Sequence, residues 1–172
     1  MRFVSTISSR LDGKGRVSIP APFRAVLEAD RYPGLFVHPA LEVPALEAGG
    51  NRLLSEIDAL IGRYSPYSEA RDLIATALLG GAETLKIDPE GRVMLPERFK
   101  AHAGITADVV FVGLGDKFRI WEPNRFSVHL AEAKASLHAL RASLSGGNPG
   151  RVSGAGDRPS PEGRSSKEGS EP

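Results

Sequence analysis

Residues Leu11–Pro20 read LDGKGRVSIP, and residues Ile87–Pro96 read IDPEGRVMLP. Sliding the chain along itself by 76 positions, the step from Arg16 to Arg92, lays the first stretch over the second. Asp12 then meets Asp88, Gly15 meets Gly91, Arg16 meets Arg92, Val17 meets Val93 and Pro20 meets Pro96. The match runs on, with Phe23 over Phe99, Arg24 over Lys100 and Ala25 over Ala101. Asp, Gly, Arg, Val, Pro, Phe and Ala recurring in one register indicate two copies of one small unit.

The local chemistry of each copy is that of a strand, a turn and a second strand. Asp88, Pro89 and Gly91 occupy the first, second and fourth places of a type I turn. Proline pre-sets its own φ, the Asp carboxylate accepts backbone N–H groups, and glycine tolerates positive φ. A type I turn followed by a left-handed glycine is a common hairpin connection, and Asp12-Gly13-Lys14-Gly15 fits the same frame. Asp12, Gly15, Asp88 and Gly91 are therefore turn residues. Period-2 alternation places Val17 and Ile19, like Val93 and Leu95, on one face, with Arg16 and Ser18 on the other. Ile7 and Leu11 alternate against Ser8 and Arg10, and Leu85 and Ile87 against Thr84 and Lys86. Pro20 and Pro96 end the strands and suit the start of short helices, carrying Phe23 and Leu27 or Phe99, with Gly104 as a C-cap.

The remaining elements follow from the same patterns. GLFVHP (34–39) reads as a short strand, and DVVFVGLGDKFRIWEP (108–123) as a hairpin turning at Gly113–Lys117. Its Gly-x-Gly leads into no helix pattern, which sets a nucleotide loop aside. Two helical patterns lie between the copies. One carries Leu53, Leu54, Ile57, Leu60 and Ile61; the other starts near Ser65-Pro66, carries Leu73, Ala77 and Leu78, and stops at Gly80-Gly81. A last helix begins near Pro123-Asn124 with Phe126, Leu130, Leu137 and Leu144 along a stripe. From Ser145 onward Gly, Ser, Pro and charges dominate, so that segment is expected to be disordered.

Composition narrows the chemistry. The 172 residues suffice for one ordinary domain or two very small ones, and the absence of cysteine rules out disulfides and Cys-based zinc sites. His38, His102, His129 and His138 are scattered, with no metal-ligand spacing among them, and no catalytic constellation stands out. Neither a metal nor another cofactor is expected, nor a small-molecule substrate. No run is long and apolar enough for a membrane span, and the expected setting is the cytoplasm. GKGR lacks the phosphate-loop pattern and leads into a strand.

Charge separates the copies. From Ile7 to Leu27 the bases Arg10, Lys14, Arg16 and Arg24 are set against one acid, Asp12. From Glu83 to Ala103 the bases Lys86, Arg92, Arg98 and Lys100 are balanced by Glu83, Asp88, Glu90 and Glu97. Lys14 in the first turn is Glu90 in the second. A basic hairpin flanked by Ser5, Ser8, Ser9 and Ser18 can grip phosphates, and a two-stranded ribbon fits the major groove. The same charges can equally form a solvated face, or each Asp–Arg pair an internal salt bridge of its hairpin. Charge alone leaves these readings open.

The two Asp-x-x-x-Arg segments, each followed by an alternating strand, a proline and a Phe-bearing helix, resemble the MraZ family over roughly residues 1–144. Members are bacterial regulators of the division and cell-wall gene cluster. The resemblance implies an α+β fold, mainly a β barrel with outer helices, built from two SpoVT/AbrB-like repeats in a swapped-hairpin arrangement. It divides the chain into repeat one (1–50), connecting helices (51–81) and repeat two with a C-terminal helix (82–144), and leaves the tail expected to be disordered (145–172) outside the match. It further implies a ring-shaped homo-oligomer that associates with the nucleoid. The ring binds short G-rich direct repeats of double-stranded DNA in the promoter of its own operon and represses it. Carried over, Arg16 and Lys14 contact DNA with Arg10 as their neighbour. Arg92 matches the second motif, but Glu90 beside it repels phosphate, which gives the second copy mainly a structural or interface role. The competing expectation is an oligomeric protein-interaction or assembly module without DNA binding; an enzyme has the least support.

Overall fold

The computed structural model describes residues 1–146. From residue 147 on, the expected disordered tail lies outside the described residues; Ser145 and Gly146 are still helical. Met1–Ala135 form one compact unit, and Ser136 onward a second, whose described part is helical. The elements are β1 (Thr6–Arg10), β2 (Arg16–Ser18), α1 (Ala21–Asp30), β3 (Leu35–Pro39), β4 (Leu46–Gly49) and α2 (Asn51–Ile61). Then come α3 (Glu69–Ala75), which runs on into a π-helical turn (Thr76–Gly80), β5 (Glu83–Leu85) and β6 (Arg92–Met94). The chain continues with α4 (Glu97–Ala103), β7 (Asp108–Gly113), β8 (Phe118–Trp121) and α5 (Pro123–Gly146).

The fold is α+β with antiparallel pairing throughout, and strands of the two copies pair with one another. β2 of the first copy pairs with β6 of the second, Arg16 opposite Met94, Val17 opposite Val93 and Ser18 opposite Arg92. Because the copies are 76 residues apart, this register is symmetric about the Val17–Val93 pair. β1 pairs with β7 of the other copy, and β5 of the second copy pairs with β3 of the first. The hairpins β3–β4 and β7–β8 meet where β4 pairs with β8, Glu47 opposite Arg119.

The expected closed barrel is not formed among the described residues. The larger sheet is open, in the order β1-β7-β8-β4-β3-β5, and β2–β6 is a separate two-stranded ribbon. The physical reason lies in the short strands. β2, β5 and β6 have three residues each, and Pro20 and Pro96, which lack an N–H, follow one residue beyond Ile19 and Leu95. β2 and β6 pair only with each other, so no ladder runs from β1 through the ribbon to β5. Two further details differ from expectation. α3 starts at Glu69, where the Ser68 hydroxyl accepts the Arg71 N–H at 3.1 Å, rather than near Ser65-Pro66. β4, with the sequence LEAG, carries no alternation to reveal it.

Burial follows the predicted faces. Val17, Ile19, Val93 and Leu95 are buried under the ribbon, against Phe23 and Leu27 of α1 and Phe99 of α4. Phe3, Phe23, Phe111 and Phe118 form one aromatic cluster drawn from both copies, with ring centroids 4.9 to 6.2 Å apart. α1 and α4 start after Pro20 and Pro96, and Gly104 ends α4 in the left-handed conformation, as expected. α2 and the π-helical turn pack Leu53, Ile57, Ile61 and Leu78 against Phe36 on the opposite face of the sheet from the main cluster.

A buried carboxylate marks the second crossing between copies. Glu47 is paired with Lys117 Nζ at 3.0 Å and Arg119 Nε at 3.1 Å, and His38 Nε2 lies 3.6 Å away. The His38 Nδ1 proton goes to the Pro39 carbonyl at 2.9 Å. Lys117 also binds Glu56 of α2 at 2.8 Å, so the network ties helix to sheet. Burial acts to raise the Glu47 pKa, but the close approach of His38 and Lys117 and the Lys117 charge outweigh it and hold the pKa at about 2. Burial likewise works against the Lys117 ammonium, yet Glu56 and Glu47 keep its pKa above the ordinary value. A depressed carboxyl pKa stabilises the fold above the unfolded value of 4.5, and that contribution fades as pH falls toward about 2. Its size is about 3 kcal/mol. Urea titrations at a series of acid pH values are expected to show Glu47→Gln destabilised at neutral pH, with a flatter fall of stability across this window than the parent.

Candidate nucleic-acid interface

Both turns are built alike, atom for atom. Asp12 Oδ1 accepts the backbone N–H groups of Lys14 and Arg16 at 2.9 Å each, and its Oδ2 accepts Arg16 Nε–H at 2.8 Å. Asp88 Oδ1 accepts Glu90 and Arg92 N–H at 3.0 and 2.8 Å, and its Oδ2 accepts Arg92 Nε–H at 2.8 Å. Gly15 and Gly91 close the turns at φ 78° and 79°, where a Cβ is strained. These bonds hold both carboxyls below the usual carboxylate range, the backbone N–H of Arg16 or Arg92 contributing most. The internal Asp–Arg salt bridge is thus real in both copies, and it leaves the two arginines in different states.

The difference sits at the outer edge of each guanidinium. Arg92 donates from Nη2 to Glu90 Oε2 at 3.2 Å, so its outer edge is partly occupied. Arg16 is held only at Nε, and its Nη groups have no hydrogen-bond partner among the described residues. Nε fixation orients the guanidinium while two donors remain available to an anion or a base edge. Lys14 has no ion-pair partner among the described residues. Arg10 is exposed at the end of β1, its Nε 3.8 Å from Asp108 of β7.

The tertiary fold brings these groups together with others. Arg16 and Ser18 share the outward face of the β2–β6 ribbon with Arg92 and Met94. Arg16 and Arg92 are diagonal neighbours there, roughly 7–8 Å apart by standard sheet geometry. Lys14 lines a hollow with Lys86, Lys100, Met94, Glu83 and Glu97 of the second copy. Both acids in it are occupied, Glu97 by Lys100 at 2.6 Å and Glu83 by Arg98 at 3.0 Å. Lys86 stands at the position of Arg10 in the other copy, 76 residues on. The helix cations cross over too. Lys100 approaches the first turn at Gly15, and Arg24 covers Gly91 and donates to the Glu90 carbonyl at 3.3 Å. Lys86 and Lys100 were invisible as partners of Lys14 in a linear reading, because they are sequence-remote and belong to the balanced copy.

Among the described residues no group of three His, Cys, Asp or Glu is placed to hold a metal ion. No helix among them is long and apolar enough to cross a membrane.

An α+β chain whose duplicated halves present one basic and one neutralised Asp-turn-Arg edge has clear relatives. Residues 78–146 match the family described as "MraZ protein, putative antitoxin-like". The chain is 64% identical over 143 residues to "Transcriptional regulator MraZ" of Xanthobacter autotrophicus, covering 83% of this chain and 91% of that protein. The protein of the same name from Azorhizobium caulinodans is 60% identical over 155 residues, covering 89% and 99%. That of Rickettsia bellii is 41% identical over 138 residues, covering 80% and 92%. The chain belongs to the MraZ family.

Gly15→Ala and Gly91→Ala are each expected to cost about 1–2 kcal/mol through left-handed backbone strain. Gly91→Ala is expected to cost more, since its Cβ runs into the Arg24 side chain, whereas that of Gly15 meets only the tip of Lys100. Urea unfolding of the two variants side by side checks the order.

Proposed function

We propose that this chain is a sequence-specific DNA-binding transcriptional regulator, without a cofactor and without enzymatic activity. It represses the division and cell-wall gene cluster, its own promoter included, by binding short G-rich direct repeats as a ring-shaped homo-oligomer in the cytoplasm, at the nucleoid. The relatives' shared name supports the regulatory role. The observation that carries the DNA reading is the asymmetry of the two turns: among the described residues Arg16 has an open outer edge beside an unpaired Lys14, while Glu90 occupies Arg92.

In this reading Arg16 takes a guanine edge or a phosphate through its two Nη groups. Lys14 and Arg10 neutralise flanking phosphates, and Arg92 supports the ribbon without gripping DNA strongly. Asp12, Gly15, Asp88 and Gly91 keep the two ribbon edges in shape. We read the exchanged pairing of β1, β2, β5 and β6 as a swapped-hairpin arrangement of two AbrB-like repeats. Residues 1–50 and 82–144 are the repeats and 51–81 the connecting helices. Ring assembly multiplies one modest basic edge per subunit through effective concentration.

Binding to a fragment of the chain's own promoter is measured by fluorescence anisotropy across a salt series, beside a scrambled fragment. Affinity is expected to fall steeply with salt, and Arg16→Ala to weaken specific binding by about 1–3 kcal/mol per contact. Glu90→Lys, which gives the second turn the charge of the first, is expected to strengthen binding and steepen the salt slope by about 1 per added phosphate contact. Salt-insensitive binding, or full binding by Arg16→Ala, sinks the assignment of this edge.

A further inference from the structure

We propose that the C-terminal stretch of α5, Ser136–Gly146, packs in parallel against the same stretch of a second copy of this chain, through Leu137, Leu140 and Leu144. These leucines are 56%, 56% and 73% exposed, so the helix that carries them does not bury them itself. Their spacing of three and then four residues is that of a helix–helix seam, and in the sequence it continues back through Ala133 and Leu130. Apolar residues at a mean period of 3.5 suit one facing helix better than a broad globular core, which takes a wider stripe.

Three observations identify the occupant. First, positions 147–172 carry only Val152 and Ala155 as aliphatic side chains, too little apolar surface to match a seam of leucines. Second, the flanks of the seam differ: Lys134 and Arg141 on one side, Ser136 and Ser143 on the other. An antiparallel pair sets the basic flank against itself, whereas a parallel pair sets it against serine, so charge selects the parallel arrangement. Third, the face opposite the leucines carries Ala135 and Ala142, where a helix lying on a membrane needs a strongly charged face. So short a stretch is marginal as an isolated pair. It forms where other contacts between copies hold the two helices at high effective concentration. The pairing is independent of DNA contact, so it stands or falls separately from the DNA reading.

The chain has no cysteine, which gives a clean background for cross-linking. Full-length single variants Leu137→Cys and Leu144→Cys on the seam, and Ala135→Cys and Ala142→Cys opposite it, are oxidised mildly at equal concentration. Covalent dimers are followed on non-reducing gels, with far-UV circular dichroism as a check on folding. Seam variants are expected to cross-link several-fold faster than the opposite-face variants, and adding Leu140→Asp to Leu144→Cys is expected to remove the advantage. In an equal mixture of Leu137→Cys with Leu144→Cys, same-position dimers are expected to predominate. Equal rates on both faces, or no loss on adding Leu140→Asp, overturn the pairing. Predominant Leu137–Leu144 cross-links overturn its parallel sense. Binding to vesicles of phosphatidylglycerol and phosphatidylethanolamine that depends on Leu140, with no seam advantage in cross-linking, identifies a lipid surface as the occupant and also overturns it.

Discussion

The pairing of β2 with β6 is the constraint on which the rest depends. Val17 stands opposite Val93 at the centre of a ribbon to which each copy contributes one strand. Each strand alone is three residues long, too short to hold a hydrophobic face in place. Joined, they bury Val17, Ile19, Val93 and Leu95 together over the helices of both copies. Neither copy therefore has a complete core of its own. The aromatic cluster makes the same point, since Phe3 and Phe23 come from one copy and Phe111 and Phe118 from the other.

A second crossing, at Glu47 and Arg119, is polar where the first is apolar. A buried carboxylate is costly unless its charge is answered, and Lys117 and Arg119 answer it with His38 alongside. Because Lys117 also reaches Glu56, the charge network fixes α2 against the sheet and complements the apolar packing of Leu53 and Ile57. The two copies are thus joined by apolar burial at one crossing and by paired charge at the other.

Duplication within one chain frees the two halves to differ. In a symmetric dimer of identical units both turns would carry the same residue at the tip. Here one tip is Lys14 and the other Glu90, and the consequence is visible in the adjacent arginines. The Asp–Arg bond at Nε is kept in both, since the turn requires it. Among the described residues, the outer guanidinium edge is open in one copy and occupied in the other. The same frame therefore supports one edge suited to an anionic partner and one edge with its charge balanced internally.

The sequence by itself determined the duplication, both turns, the inward faces of the ribbon strands and the starts of α1, α4 and α5. Those features rest on interactions within a few residues: an Asp side chain capping its own turn, a glycine at positive φ, a proline ending a strand, period-2 alternation. The tertiary structure alone decided which strands pair, that the large sheet stays open, that β4 exists, and that Lys86 and Lys100 stand beside Lys14. It also decided that Glu47, an ordinary surface residue by type, is buried among cations. These outcomes depend on contacts between residues tens of positions apart, whose register is set by packing against a shared core. Local pattern cannot encode that register, because each strand's alternation is satisfied equally by its own hairpin mate and by the strand of the other copy.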